Sequence, residues 1–474
     1  MAVFYNEGET KKRPGVYQRH TNVGFDTLIG AQDGICAIPI KASWGPVGQV
    51  VRNTLASDLR KNYGDGEYGT GYTVPAAAAM FEGGASVVYT YRLGTGGTAA
   101  KADVTTGLTA TAKYPGTMPI SVAVQTKLGD TSIKVLQVYR DTTLVESFEF
   151  AASGTGEGAA LIEAAAKSKY ITLTATEPPE TIPVLAVASG ALKGGTNPTV
   201  TNADYSAAFA ALEPYYYNTI ALDVDDDDNM TLSLMLQAYL DNAYQLGKLG
   251  IAVVGEKTSV EFADRCVHAR AFNDAKVVYL GGGYLSGTES KDGVMAICYT
   301  AGRIASTPAN RGITHAAING ATDLCESLTF AQYEDAIAAG MLMLSMSPDG
   351  NIWYDSGITT LVTPETGIQD AGWKKIRRVK VRFEMIDRLD RVLAPKVGQV
   401  SADTDGVADI IQAGQRILTA MADSEGKLQP GPVFMEDPSN PYDGDSAWFI
   451  IQADDIDSLE KIYLQYQFRY SQNA

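Results

Sequence analysis

The chain contains 474 residues, of which 45% are hydrophobic and 20% are charged. This length is sufficient for about two to four domains with substantial apolar cores. The 38 basic and 55 acidic residues leave a formal net charge of −17, which argues against broad binding to nucleic acid or anionic lipid. No stretch approaches about eighteen uncharged apolar residues, and no basic segment followed by an apolar core opens the sequence. We therefore expect synthesis in the cytoplasm and no direct membrane insertion.

The cysteines are widely spaced and lie in apolar surroundings. None belongs to a C-x-x-C pair, and none has ligand-like spacing to the three histidines. This pattern predicts buried thiols in a reducing compartment and no metal site. The four cysteines are Cys36, Cys266, Cys298 and Cys325.

Residues 1–24 are polar and rich in turn-forming residues. Arg13, Pro14 and Gly15 mark a turn before a short extended stretch that begins with Val16 and Tyr17. The pattern predicts an N-terminal arm. Residues 25–93 are then predicted to form part of a core α/β region, with strands at 36–40 and 85–92 and helices at 57–61 and 76–81.

Residues 94–200 are rich in Thr, Val, Ala and Gly. Apolar and polar residues alternate at 120–124, 132–138 and 170–174, with one helical stretch near 157–167. This pattern predicts an inserted β-rich domain, either a small sandwich or a barrel.

The period changes in residues 201–362, where strand-like runs alternate with helical stretches. The runs lie at 218–222, 251–254 and 276–280, the helical stretches at 231–246, 259–272, 293–304 and 329–339, and a last β segment at 353–362. This alternation is typical of βαβ units and predicts a mostly parallel sheet.

Residues 363–458 are predicted to form an α+β domain. The basic run from Lys374 to Lys380 alternates with apolar residues as far as Phe383, which favours a strand with one solvated face over a local contact for an acidic partner. One amphipathic helix is predicted from Asp403 to about Met421. A strand-like stretch then leads to the end of the chain.

The C-terminal arm, residues 459–474, contains a segment that alternates like a β-strand. Its apolar face carries Ile462, Leu464, Tyr466, Phe468 and Tyr470. The backbone of such a segment needs a hydrogen-bonded partner. That partner lies either in its own domain or in another copy of the chain, through strand addition.

Three patterns suggest chemistry but lack essential parts. The G-x-G-x-x-G spacing at 64–69 follows a helical stretch and contains two acidic residues, which opposes nucleotide binding. The acidic run at 223–228 has Asp228 where a calcium loop needs glycine and Leu234 where it needs glutamate, so a solvated turn is favoured. No serine occupies a G-x-S-x-G elbow. We expect no catalytic residue, cofactor or metal.

Several segments, taken in order along nearly the whole chain, resemble the tail sheath proteins of contractile-tailed bacteriophages and related injection machines. The resemblance is greatest to sheaths of phages and phage-derived particles, including tail-like bacteriocins, of Gram-positive bacteria. The matching segments are Arg13-Pro14-Gly15-Val16-Tyr17, residues 76–92 with Phe81-Glu82-Gly83-Gly84, Ala112-Lys113-Tyr114-Pro115-Gly116, Ala301-Gly302, residues 306–314, Leu328-Thr329, residues 336–340 and Ile358-Thr359-Thr360-Leu361-Val362.

The resemblance implies an α+β multidomain fold: a subtilisin-like α/β domain, the β-rich insertion, and an α+β C-terminal domain with extended N- and C-terminal arms. "Subtilisin-like" describes the topology, since no protease site is expected. In this family the arms extend into neighbouring subunits and complete a shared sheet. The arm residues implied here are Arg13, Pro14, Gly15, Val16, Tyr17, Ile462, Leu464, Tyr466, Phe468 and Tyr470.

The implied function is that of a structural subunit, not an enzyme. It would polymerise helically around an inner tail tube and contract to drive the tube through the target cell envelope. The implied partners are further copies of the chain, the tail tube protein, and baseplate and tail terminator proteins. The protein would be made in the host bacterial cytoplasm and assembled in a virion or phage-tail-like particle. Arg416 is a candidate contact with the tube.

Two other functions stay open at this level. A hydrolase of subtilisin topology is suggested by the α/β pattern and the histidines. A non-contractile, self-assembling surface protein is suggested by the Thr/Val/Gly-rich insertion, although no secretion signal is apparent.

Overall fold

The computed structural model describes residues 3–4, 17–18, 32–64, 71–154, 156–184, 187–225 and 229–468. Near the N-terminus, strands β1 (Val3–Phe4) and β2 (Tyr17–Gln18) pair in parallel. Of the predicted N-terminal arm residues, Tyr17 lies in β2, whereas Arg13, Pro14, Gly15 and Val16 lie outside the described residues.

The first part of the core region supplies three strands and two helices. These elements are β3 (Ile35–Ile40), β4 (Val50–Asn53), α1 (Ala56–Tyr63), α2 (Val74–Glu82) and β5 (Val87–Arg92). The predicted strands and helices of residues 36–92 are therefore confirmed, and β4 is an addition to them.

An insertion made mainly of β-strands follows. Its elements are β6 (Lys101–Thr105), β7 (Leu108–Ala112), β8 (Ile120–Thr126), β9 (Ile133–Arg140), β10 (Thr143–Ala151), α3 (Glu157–Ala164), β11 (Ile171–Ala175) and β12 (Val187–Ala191). They form one sheet in the order β10-β9-β8-β12 and a second in the order β11-β7-β6. Both sheets contribute to one core, which includes Leu108, Val122 and Leu136.

The chain then returns to the core region. Its elements are α4 (Asn202–Leu212), β13 (Thr219–Ala221), α5 (Asn229–Gln245), β14 (Ile251–Gly255), α6 (Phe262–Phe272), β15 (Val277–Leu280), β16 (Tyr284–Ser286), β17 (Glu289–Lys291), α7 (Val294–Ser306), β18 (Asp323–Leu324), α8 (Phe330–Ala338), β19 (Met341–Leu342), β20 (Leu344–Met346) and β21 (Ile352–Tyr354). The predicted β segment at 353–362 is reduced to β21.

A seven-stranded sheet joins the two parts of the core region, in the order β19-β15-β14-β13-β3-β5-β4. All neighbouring strands in it are parallel except β4 and β5. Its strands are buried almost throughout because helices cover the sheet. The predicted mixed α/β multidomain organisation with a largely parallel sheet is confirmed.

The C-terminal part contains α9 (Ile376–Leu393), α10 (Thr404–Asp423), β22 (Val433–Glu436) and β23 (Phe449–Gln452). Helix α10 confirms the predicted amphipathic helix. The Asp403 carboxylate accepts a hydrogen bond of 2.8 Å from the backbone N–H of Gly406, which caps its first turn.

The strand predicted for the basic run is wrong, since this run opens α9. Ile376, Val379 and Phe383 follow the helical period and pack into the core of the parallel-sheet region. Val381 instead joins the separate C-terminal core with α10. Because α9 is buried on two sides, its apolar residues do not form one stripe, and their two-residue spacing imitates a strand.

Helices α2 and α7 pack closely through glycines. A Cβ atom at Gly302 would lie 2.0 Å from the Met80 carbonyl oxygen, and one at Gly83 would lie 2.1 Å from the Tyr299 carbonyl oxygen. The segments that contain Gly83 and Gly302 are distant in sequence but touch in the fold. Their glycines therefore permit backbone-to-backbone contact.

We predict that Gly302→Ala lowers the free energy of unfolding by about 1–3 kcal/mol because the helices must separate. Urea denaturation followed by circular dichroism measures this change. Gly190→Ala is the control, since the nearest atom to its added methyl would lie 3.8 Å away. Without a clash, alanine would stabilise a helix by up to about 1 kcal/mol, so a stabilised Gly302→Ala variant would contradict the packing argument.

Candidate assembly surface at the C-terminal segment

Helix α9 presents a basic face to the C-terminal segment. Lys375, at its start, and Arg378 and Arg382 lie three and four residues apart, which places them on one side of the helix. An adjacent side of the helix is held in the core by Ile376 and Val379. The cations therefore project from a helix that is itself fixed in position.

The segment after β23 folds back onto this face. Its backbone pairs briefly with residues 427–429: Gln429 N–H donates to the Asp454 carbonyl at 2.7 Å, and Ile456 N–H donates to the Lys427 carbonyl at 3.0 Å. This pairing turns the Asp455 side chain toward α9.

Asp455 is the main ionic contact of the segment. Arg378 donates two hydrogen bonds to its carboxylate, at 2.6 and 2.7 Å, and Arg382 donates two more, at 3.1 and 3.2 Å. Burial opposes ionisation of Asp455, but the hydrogen bonds from both arginines outweigh it and lower the pKa of this carboxyl. Such charge-assisted, two-pronged pairing fixes both position and orientation.

A second contact lies at Glu460, where Lys375 forms an ion pair and Thr314 Oγ1 donates a hydrogen bond of 2.9 Å. Between the two acids, Arg377 donates to Ser458 Oγ at 3.0 Å. Thr314 belongs to the segment 306–314, one of the segments of the sequence that resemble tail sheath proteins. This segment therefore forms part of the seat for residues 455–460.

Beyond Glu460, residues 461–468 are exposed. Within the described part of the chain, residues 461–468 have no hydrogen bond or strand pairing to any other segment. The predicted arm residues here are Ile462, Leu464, Tyr466 and Phe468, with 71%, 70%, 73% and 92% of their surface exposed. Tyr466 and Phe468 stack with ring centroids 6.3 Å apart, so they lie on the same side, as alternation predicts. Tyr470 lies outside the described residues.

The hairpin of β22 and β23 has one covered edge and one open edge. Asp437 N–H donates to the Trp448 carbonyl, so these two residues form a hydrogen-bonded pair of the antiparallel hairpin. Such pairs alternate along the strands, and the residues between them direct their N–H and C=O groups away from the partner strand. These outward groups belong to Phe434 on β22 and to Phe449 and Ile451 on β23. The Gln415 side chain covers the β22 edge: it donates to the Pro432 carbonyl and accepts from Phe434 N–H, each at 2.8 Å. No described segment pairs with the β23 edge.

The structure places Arg416 on the exposed face of α10. That face also carries Asp405, Asp409 and Asp423, and all of these residues are exposed. Arg416 is therefore remote from the apolar side of the helix, which includes Ile417. Its predicted contact with a tube stays a prediction.

The acidic residues at the carboxyl ends of the parallel strands have structural partners. Asp223 is buried and accepts hydrogen bonds from Tyr205 and Thr73, while Asp225 pairs with Lys257 at 3.0 Å. Asp226, Asp227 and Asp228 lie outside the described residues, as does most of the loop at 64–69. Across the described ranges, no group of His, Cys, Asp and Glu side chains is arranged to hold a metal ion.

The remaining candidates for chemistry also have structural contacts. His268 Nδ1 lies 2.7 Å from a Glu256 carboxylate oxygen, and His315 stacks on Trp353. All four cysteines are free, and three of them are buried. No helix among the described residues combines the length and the apolarity needed to cross a bilayer.

Comparison with known families agrees with this architecture. The model of the phage tail sheath protein beta-sandwich domain matches residues 95–197, and that of the phage tail sheath protein central domain matches residues 199–360. These matches cover more than half of the chain. The protein belongs to the phage tail sheath family.

Two curated relatives from Bacillus subtilis (strain 168) align over most of their length. The uncharacterized protein YqbK is 26% identical, with 89% of this chain and 90% of that protein covered. The phage-like element PBSX protein XkdK is 24% identical, with 97% and 98% covered.

Solved structures share the fold. The sheath tail protein Lin1278 from Listeria innocua superposes with a TM-score of 0.69 at 20% identity, covering 90% of this chain and 96% of that one. The helical sheath of the anti-feeding prophage in its contracted state gives a TM-score of 0.52 at 12% identity, covering 97% and 99%.

Sequence reasoning missed the anchors of the C-terminal segment and the Gln415 cover. A usable signal for the anchors was present: Asp454, Asp455, Asp457 and Glu460 form an acidic cluster around the start of the arm, and the opening of α9 is basic. Complementary charge would have suggested the pairing. Nothing in the sequence distinguishes Gln415 from other surface glutamines.

We predict that Asp455→Asn lowers the free energy of unfolding by about 1–3 kcal/mol at pH 7, because its hydrogen bonds with two arginines lose their ionic character. The native pKa of Asp455 is depressed, so this stabilisation is present above the unfolded-state pKa of about 3.9 and is lost as pH falls through the lower native value. Urea denaturation from pH 7 to pH 3 should show the two proteins converging in acid.

The matched control is Asp454→Asn, which removes the same charge from an exposed neighbouring side chain. We expect it to change stability by less than about 0.5 kcal/mol. An Asp455→Asn effect that persists unchanged at pH 3 would show that the arginine contacts are not its cause.

Proposed function

We propose that this protein is the structural subunit of a contractile tail sheath, which polymerises helically around an inner tail tube and contracts to drive that tube through a target cell envelope. The observation that carries the proposal is that one chain presents both an unpaired C-terminal segment with one apolar face and an open strand edge. Membership of the phage tail sheath family and the likeness to a contracted sheath support it.

The C-terminal arm of one copy would pair with β23 of another. Such strand addition satisfies the outward N–H and C=O groups of Phe449 and Ile451 with main-chain hydrogen bonds, while alternate side chains of the arm are buried. Gln415 directs the arm to β23 because it already occupies the β22 edge. Ile462, Leu464, Tyr466, Phe468 and Tyr470 are the arm residues proposed to carry this contact.

The N-terminal arm, with Arg13, Pro14, Gly15, Val16 and Tyr17, is proposed as a second intersubunit connection. Its support is the family resemblance of this segment. A contact in which one copy donates a strand and the next accepts it is head-to-tail, so it produces an open helical polymer unless the rotation closes a ring.

Contraction would convert this polymer between two packings of the same subunits. Exchanged strands keep neighbours connected while the bodies rotate, and the free-energy difference between the packings supplies the work. The tube is the partner proposed for the sheath interior, with Arg416 as a candidate contact. Baseplate and tail terminator proteins would hold its two ends. We place synthesis in the host bacterial cytoplasm and assembly in a virion or phage-tail-like particle.

The role is proposed to be non-enzymatic, with the parallel-sheet region keeping a subtilisin-like topology as a scaffold. The structural contacts of Asp223 and His268 support this view. Labelling by a serine-directed fluorophosphonate would instead favour the hydrolase alternative. Flat lattices in electron micrographs would favour a non-contractile surface protein.

We predict that deletion of residues 461–474 abolishes tubular polymers and leaves a folded monomer, because the anchored residues 455–460 remain. Negative-stain electron microscopy and sedimentation measure assembly, and circular dichroism checks folding. The control is Gln465→Ser with Gln467→Ser, which alters only the polar face of the arm and should assemble normally. Tubes from the deleted chain would rule out the arm as the essential connection.

We also predict that Ile451→Pro blocks assembly from the acceptor side. Proline removes the outward N–H of Ile451, which the hairpin itself does not use, so the monomer should stay folded. The control is Ile451→Thr, which keeps this N–H and should still form tubes.

Mixing provides a further check on the acceptor edge. The Ile451→Pro chain retains its arm, and the chain without residues 461–474 retains its edge. An equal mixture should therefore form one-to-one dimers by analytical ultracentrifugation. Tubes formed by Ile451→Pro alone would disprove pairing at β23.

A further inference from the structure

The start of the C-terminal arm is set by the contacts of residues 455–460 and not by secondary structure. No strand or helix is present after β23 in the described residues, yet the chain stays on the body until Glu460. Two acidic side chains, Asp455 and Glu460, bind cations of the same helix at the two ends of this stretch. The stretch between them is therefore held at both ends.

Helix α9 is a suitable anchor because it cannot move independently. Its side chains enter two separate cores, one with Val379 and Phe383 and the other with Val381 and Leu389. Moving the helix would expose buried apolar surface in both. Any load applied through Asp455 is thus carried by the folded body.

The same helix also holds the segment that precedes β3. Lys380 is buried and donates to the Ile304 carbonyl at 2.7 Å and to the Thr307 carbonyl, and its Nζ lies 3.7 Å from the Asp33 carboxylate. Gly34 N–H, next in the chain, donates to the Ala305 carbonyl at 2.9 Å. The described residues just before β3 and those just after β23 therefore both contact α9 or the elements that it holds.

We propose that α9 is a clamp that fixes the effective length of the C-terminal arm: its cations hold Asp455 and Glu460 so that the free arm begins at Lys461. This inference rests on the proposed function. If the clamp opened, residues 455–460 would be released as extended chain, which adds about 20 Å of reach at about 3.3 Å per residue. The distance between connected subunits would then no longer be fixed.

The first test measures release in the full-length monomer. In the variant Asp455→Asn with Glu460→Gln, hydrogen–deuterium exchange at the amide of Ile456 should accelerate at least about tenfold, since each lost charge-assisted bond is worth about that factor or more. Exchange in α10 should not change. The control Asp454→Asn, which neutralises one exposed neighbouring carboxylate, should behave like wild type. Unchanged exchange at Ile456 would overturn the clamp.

The second test concerns tubes. Wild-type and Asp454→Asn tubes should share one axial repeat in electron micrographs, whereas tubes of the double variant should show a broader distribution of repeats. Double-variant tubes with the wild-type repeat would overturn the length-setting role while leaving the proposed function intact. Failure of the wild-type chain to form tubes would instead remove the proposed function.

An engineered disulfide between the body and the C-terminal segment can replace the ion pairs of the clamp. A Cβ atom at Gly312 would lie 3.8 Å from Ser458 Cβ, a separation typical of disulfides. Gly312→Cys with Ser458→Cys, added to the double variant and oxidised, fixes the start of the free arm at residue 459. It should restore slow exchange at Ile456 and narrow the axial repeats to a single value, and reduction should reverse both. If the oxidised protein kept the broad distribution, arm length would not be its cause.

Discussion

Backbone N–H and C=O groups that are removed from water need hydrogen-bond partners within the protein, and the described part of this chain has two matched places where extended backbone has only solvent as its partner. Residues 461–468 form a strand-like segment without a sheet, and β23 offers a sheet edge without a strand. Exposed apolar side chains accompany both, including Phe468 and Ile451. In the proposed assembly a second copy of the chain would supply each missing partner by strand addition.

Ion pairs, in contrast, fix the positions of the segments that pack around α9. Around α9, Arg388 pairs with Glu384 and Glu425, and Lys427 pairs with the same two acids at 2.6 Å. Burial lowers the pKa of Lys380 to about 8, which shows that this position is costly for a cation. Buried ion pairs of this kind contribute little net stability but strongly penalise other geometries. They therefore favour a single arrangement of the elements around α9.

The predictable parts of the fold were those with a long, regular pattern. The βαβ alternation identified the parallel sheet, and the N-cap at Asp403 identified α10. The α9 error arose because a helix buried against two cores, through Val379 and Val381, has no single apolar stripe. The short strands β16 to β18 were not predicted, since a strand of two or three residues is too short to show an alternation of apolar and polar side chains.

Sequence alone determined the domain order, the alternation of the terminal segment and the resemblance to sheath proteins, because these depend on local period and on short segments in fixed order. Only the tertiary structure showed where the C-terminal segment leaves the body and which edge of the hairpin is left open. Asp455 and Arg378 are 77 residues apart, and the Gln415 side chain covers a strand that starts after the next turn. Such pairings depend on how the helices pack, and no local pattern encodes them.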